Sequence, residues 1–259
     1  VVITVAALTG TLKIGEAISG FANSAIWLIV GAFLFSRGFI KTGLGKRIAY
    51  NLIAAFGSSS LRLAYALALS DLILAPATPS NTARVGGVIM PITTSLAKAF
   101  GSEPQDGPRK IGSFLMQSIY QVNTITSAMF QTSMAGNTLV AALALQSFGI
   151  GITWGDWAMA AIVPGIIALI IMPYFIYKVY PPEIKDAREA QQMIKEELKG
   201  LGKMSFQEWV MLGVFILALV LWATSQFTKL DATTVAFLGI SILLATSVLV
   251  WDDVKSEKG

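Results

Sequence analysis

The sequence has no cysteine and no histidine. The first absence excludes a disulfide framework, a thiolate nucleophile and Cys-ligated metal; the second excludes a His–carboxylate triad and an imidazole proton relay. Charge is scarce as well. Asp, Glu, Lys and Arg make up 13% of the chain, against about 25% in a soluble domain, too few to coat a globule of 259 residues. Hydrophobic residues account for 54% before the 23 glycines are counted, which excludes disorder. The chain therefore reads as a bilayer protein. Its 19 basic residues outnumber 15 acidic ones, but no Lys/Arg tract occurs, so no nucleic-acid partner is expected and a positive-inside bias accounts for the excess. Val1 opens inside an apolar run with no Met and no signal-peptide n-region, as in a piece of a longer chain.

A membrane-crossing helix needs about 20 mostly apolar residues. Residues 1–8 read as the end of such a span and 25–40 as a full one, followed by Lys41, Lys46 and Arg47. Residues 43–56 suit an interfacial helix. Two apolar runs, 61–77 and 83–100, flank Thr78-Pro79-Ser80-Asn81-Thr82, where proline stops one helix and Ser, Asn and Thr favour the start of another. A second interruption is expected near 133–137, inside the uncharged run 111–145. Residues 157–177 form a span with Trp154, Trp157, Tyr174, Tyr177 and Tyr180 as interfacial anchors; 183–203 is amphipathic; 209–222 and 234–251 are the last spans. With 41–47 in the cytoplasm, Lys98, Arg109, Lys110, the 178–203 connection, Lys255 and Lys258 fall inside, and only Lys13 and Lys229 outside.

Start and end show a short likeness at an offset of 237 residues. GTLKIGEAIS (10–19) aligns with SVLVWDDVKS (247–256), pairing Leu12 with Leu249, Glu16 with Asp253 and Ser19 with Ser256. The match is short enough for coincidence, but the topology puts the copies on opposite sides, as in an inverted-topology repeat. On that reading the chain holds one repeat and the opening of a second, and the counterpart of Ser80 lies at position 317.

PSNTARVGG (79–87) carries the most chemistry. Free backbone N–H groups and a positive dipole end would face the break, where with Ser80, Asn81 and Thr82 they could hold a carboxylate. Freed carbonyls and the Asn81 amide offer oxygens to Na⁺. The bland reading is a capped turn at the membrane surface; Pro76 and Gly86-Gly87, which carry the break into apolar sequence, favour a site. QTSMAGNT (131–138) offers a second wall through Ser133, Ala135 and Asn137, or simply a kink at Gly136. Two breaks in one repeat are the best sequence pointer to a transporter site. Asp71 and Arg84 are intramembrane charges. Arg84 either attracts a dicarboxylate or, the preferred reading, pairs with an acid or snorkels; Asp71 is a structural partner within the hairpin.

Four blocks resemble the divalent anion:sodium symporter (DASS) family: GFANSAIWLIVGAFLFSRGFIKTGLGKRIAY (20–50), LAPATPSNTARVGGVIMPI (74–92), SAMFQTSMAGN (127–137) and WAMAAIVPGIIALIIMPYFIYKVYPPE (157–183). The first and last look especially like the branch of plastid 2-oxoglutarate/malate translocators and their bacterial relatives. The resemblance implies an all-α polytopic membrane protein built as inverted-topology repeats, each with a re-entrant hairpin and a broken transmembrane helix. It implies homodimers with a scaffold and a mobile transport domain moving as an elevator. Ser80, Asn81 and Thr82 match the family's substrate-binding signature, and Ser80, Asn81, Ser133, Ala135 and Asn137 its first sodium site. The organisation expected is 1–56 scaffold and arm helix, 57–101 hairpin, 110–180 broken helix and following span within the transport domain, 183–203 surface helix, and 206–259 the start of a second repeat.

The expected function is secondary transport of di- or tricarboxylates by Na⁺ symport or exchange, with Na⁺ as coupling ion and no cofactor. The cell membrane of a bacterium is favoured over the plastid inner envelope. Only one Ser-Asn-Thr is present, so this chain alone is expected not to transport. A polytopic enzyme, a channel or a structural subunit is the alternative. The enzyme lacks convergent titratable groups at one depth, and the channel lacks a polar stripe across a span.

Overall fold

The computed structural model describes residues 1–256. Lys258, part of the orientation reading, and the side chain of Ser256 lie outside what is described. Along the chain come α1 (Val2–Leu8), α2 (Ile14–Ala17), α3 (Ser24–Thr42), α4 (Leu44–Phe56) and α5 (Ser60–Leu74), the last extended by a 3-10 turn at Ala75–Ala77. Then α6 (Asn81–Arg84) runs through a π-helical turn (Val85–Ile89) into α7 (Met90–Ala99). α8 (Gly112–Met129) and α9 (Ala135–Phe148) flank a 3-10 turn at Gln131–Ser133. α10 (Trp154–Val179), α11 (Arg188–Gly200), α12 (Phe206–Ala223), α13 (Ser225–Thr228), α14 (Ala232–Ala245) and α15 (Trp251–Ser256) complete the described chain. Among the described residues the regular structure is helical, as an all-α polytopic membrane protein requires.

Local chemistry sets these boundaries. Asn23 Oδ1 accepts the Ala25 N–H (2.9 Å) to open α3, and Gly43, at φ 75°, turns the chain left-handed into α4. Thr153–Asp156 and Ser205–Glu208 capping boxes open α10 and α12. The π turn after Arg84 has a cause in Pro91, which has no N–H to offer the carbonyl four residues back. Among the described residues, four helical stretches are long and apolar enough to cross a bilayer: Ser24–Thr42, Ser60–Ala77, Trp154–Val179 and Phe206–Ala223.

One packed group is α3, α12 and α14, centred on Phe35, Phe39, Phe215 and Trp222. The other is α5, α7, α8 and α10. α4 bridges them: its apolar face (Leu44, Ala49, Tyr50, Ile53) is buried, and it packs on α5 and α11. The basic connections gather at one end, since Glu183 N–H reaches Arg109 O, Ile184 N–H reaches Lys110 O, and Ala187 N–H reaches Ser58 O. Lys41, at the C-terminal end of α3, binds Asp253. That clustering agrees with the sidedness read from Lys and Arg.

Three boundaries differ from the sequence reading. The amphipathic helix begins at Arg188, not 183, because 183–187 is non-helical and bridges the segments at 58–60 and 109–110. The interruption of the long uncharged run falls at 130–134 rather than 133–137, so Ala135 and Asn137 occupy the first turn of α9 and not unwound backbone. The expected span 234–251 is not one helix: α14 ends at Ala245, after about 21 Å at 1.5 Å per residue, and Ser247 (φ 57°) turns the chain before α15.

That last turn matches the first one bond for bond. Thr9 Oγ1 donates to Val5 O (2.8 Å), and Thr246 Oγ1 to Ile242 O (2.7 Å). Gly10 (φ 69°) and Ser247 (φ 57°) are both left-handed. Leu12 N–H bonds Ala6 O as Leu249 N–H bonds Leu243 O. Lys13 N–H caps on Glu16 Oε2 (3.0 Å) as Val250 N–H caps on Asp253 Oδ2 (2.9 Å). Every pair lies at the offset of 237 residues found in the sequence.

Candidate functional site

The two helix interruptions meet. The chain leaves α5 through Pro76 and Pro79, which cannot sustain the helical ladder, and α8 stops at Phe130 in an extended conformation. The Ala135 N–H donates to Pro79 O (2.9 Å), joining the tip of the hairpin to the first residue of α9. Thr132 Oγ1 donates to Pro76 O (2.5 Å) and accepts the Trp154 indole N–H (2.9 Å). Trp154 stacks on Phe130 and on Trp222. Trp154 is therefore buried against the break instead of anchoring at the interface, while the half-buried Trp157 bonds Ala128 O.

Arg84 ties the arrangement together. Its side chain has no exposure, and its Nε donates to Asp71 Oδ1 (2.9 Å), Asp71 being 2% exposed. Nη1 donates to Thr78 O (2.9 Å) and Ser133 O (3.2 Å), one carbonyl from each interruption; Nη2 donates to Thr126 Oγ1 (3.2 Å) and Ser127 Oγ (3.0 Å). Thr126 also bonds Asp71 Oδ2, which Asn123 approaches at 3.4 Å. Taking such a pair out of water costs several kcal/mol per ion unless the remaining protons and lone pairs are met, as they are here. The charge is consumed internally, so Arg84 pairs with Asp71 and offers no free cation to a dicarboxylate.

The predicted site residues divide in two. Ser80 is the N-cap of α6, its Oγ accepting the Ala83 N–H (3.1 Å); Asn81 Oδ1 accepts the Thr82 N–H (2.9 Å); Thr82 is exposed. These three open a helical stretch that continues to Ala99, with its positive end at the break. Ser133 and Asn137 are buried and close the other side. Ser133 Oγ donates to Ser127 O and Phe130 O, and Asn137 Nδ2 donates to the same two carbonyls (2.7 and 2.9 Å), satisfying the frayed end of α8. Among the described residues no hydrogen bond engages Asn137 Oδ1, which leaves a carboxamide oxygen beside the break. Sequence reasoning missed Thr126, Thr132 and Trp154. An opposite-charge pair within one hairpin was the available signal for the network around Arg84.

Residues 1–259 match the sodium:sulfate symporter transmembrane region. The chain belongs to this family. The blocks of resemblance lie within it, and the family is one of transporters, not enzymes. The chain is 54% identical over 258 residues to YflS of Bacillus subtilis, a candidate malate transporter, covering 99% of this chain and 54% of YflS. It is 47% identical over 251 residues to chloroplastic dicarboxylate transporter 1 of Spinacia oleracea, covering 96% and 44%. With the L-tartrate/succinate antiporter of Escherichia coli it shares 39% identity over 243 residues, covering 93% and 50%. The chain spans about half the length of the curated relatives it matches.

Proposed function

We propose that this chain belongs to a secondary carrier of di- or tricarboxylates in the inner membrane of a bacterium. The observation that carries the reading is the joining of two helix interruptions, Pro79 to Ala135, beside the open positive end at Ser80–Asn81–Thr82. A substrate carboxylate accepts there from backbone N–H groups and from the Ser80, Asn81 and Thr82 side chains. Na⁺ takes oxygens from Ser80, Asn81, Ser133, Ala135 and Asn137, a hard donor set suited to a hard cation. Bound anion and cation each lower the other's cost of leaving water. The relatives' names for malate, dicarboxylates, tartrate and succinate support this substrate class. In this reading hairpin and broken helix travel together as an elevator past a scaffold built on α3, α12 and α14, in a homodimer.

The test is uptake of labelled malate by proteoliposomes holding the full-length protein, with an inward Na⁺ gradient or with trapped succinate. Uptake well above empty vesicles is expected, and Asn81→Ala and Thr82→Ala reduce it at least tenfold, as the loss of charge-assisted hydrogen bonds predicts. Uptake no faster than empty vesicles under both driving forces would falsify the reading.

A further inference from the structure

The segments 5–17 and 242–254 share their hydrogen bonds but not their surroundings. Leu243 and Leu249 are buried, whereas their counterparts Ala6 and Leu12 are half-buried and exposed. The helix of the second copy, α14, packs on both α3 and α12, and the clamp comes from α3. The Cβ that Gly31 lacks would lie 3.1 Å from Ala236 Cβ, the ring of Phe35 fills the space beside Gly239, and Lys41 Nζ holds Asp253 Oδ2 at 2.5 Å with Arg37 Nε 3.6 Å from Oδ1. Glu16, in the position of Asp253, is exposed and caps only its own turn. The copies also sit at opposite ends of α3. The first runs through the Ser19–Ala22 turn straight into Ser24, with the Trp27 indole on Phe21 O, while the second is clamped at Lys41, about 26 Å further along.

Two copies of one motif at opposite ends of a shared helix are what a two-fold operation produces, and such an operation exchanges partners between the halves. We propose that α1–α2 is the docking surface for a later helix of the same full-length chain. That helix is the counterpart of α3, 237 residues further on, and its Lys or Arg takes Glu16 as Lys41 takes Asp253. Three observations support this occupant: the matching turn that α3 helps to cover, a carboxylate bonded only within its own turn at the position of a clamped one, and the chain's coverage of only 54% of YflS. The assignment does not depend on the transported substrate.

The full-length sequence gives the first check: a basic residue is expected 237 positions beyond Arg37 or Lys41, and neither position being basic overturns the ion pair. The second check is a cross-link in the full-length protein. Glu16→Cys is combined with a cysteine 237 positions beyond Lys41 and treated with a short bismaleimide; Lys41→Cys with Asp253→Cys is the positive control. These 259 residues have no cysteine to compete. A link within one chain is expected. A link only between two copies assigns the surface to a dimer partner and overturns the proposal, as does no link where the control reacts. Glu16→Lys lowers the melting temperature by a few degrees, and adding Glu at the distant position restores it; no restoration counts against the pair.

Discussion

Arg84 shows how one side chain fixes a polar break inside apolar surroundings. Its guanidinium reaches a carboxylate, two backbone carbonyls and three hydroxyls in different directions. Lysine carries the same charge on a single point and cannot span them. Arg84→Lys is therefore expected to cost about 1–3 kcal/mol through groups left unsatisfied. Arg84→Ala, which also strands the buried Asp71 carboxylate, should cost about 3–5 kcal/mol. Because two of the partners are backbone carbonyls, replacing Arg84 and Asp71 together by apolar residues should not recover the loss. Urea unfolding in detergent micelles checks all three, and equal stability of Arg84→Lys and the parent would refute the geometric argument.

At the scale of elements, stability comes from how closely helices approach and how their broken ends are tied. A Cβ on Gly239 would lie 2.3 Å from Phe35 Cζ and 3.2 Å from Val214 Cγ1. A buried ring cannot yield as a flexible chain end does, so Gly239→Ala should separate α3 from α14 at about 1–3 kcal/mol, seen as a lower melting temperature. Trp154→Phe keeps the stack on Phe130 and Trp222 but removes the bond to Thr132, for about 1 kcal/mol. Combined with Thr132→Val it should be less than additive in a double-mutant cycle. These elements were unevenly legible in the sequence. Pro76, Pro79 and Ser80 announce the hairpin break by chemistry that acts locally. The second break was read a few residues late because Gly136 and Asn137 mark where α9 starts, with Asn137 reaching back to cap α8. The end of α14 carries no Gly or Pro, and a serine at positive φ leaves no compositional trace, so 234–251 read as one span. The tie between Pro79 and Ala135 uses two backbone groups 56 residues apart and has no residue-type signature at all.

At the scale of the molecule, contacts far apart in sequence join its two ends, and one of them sets a pH response. Asp253, outside the membrane-crossing stretches, accepts from Lys41 Nζ at 2.5 Å and from the Val250 N–H at 2.9 Å. The hydrogen bond from Lys41 holds its carboxyl below the usual value, with the Val250 N–H and the charges of Lys41 and Arg37 adding to the effect and slight burial opposing it. A carboxyl depressed on folding binds its proton more readily unfolded. The contact thus stabilises fully above the unfolded value, about 3.9, and fades as pH falls through the lower folded value. Melting temperatures of the parent and Asp253→Asn should differ at pH 6 and converge toward pH 3, with most of the convergence below pH 4. Lys41→Met should narrow the difference at pH 6, since Lys41 is the largest source of the depression. A difference independent of pH would mean that packing of the α14–α15 turn on α3, and not the ion pair, fastens the end of the chain to its beginning.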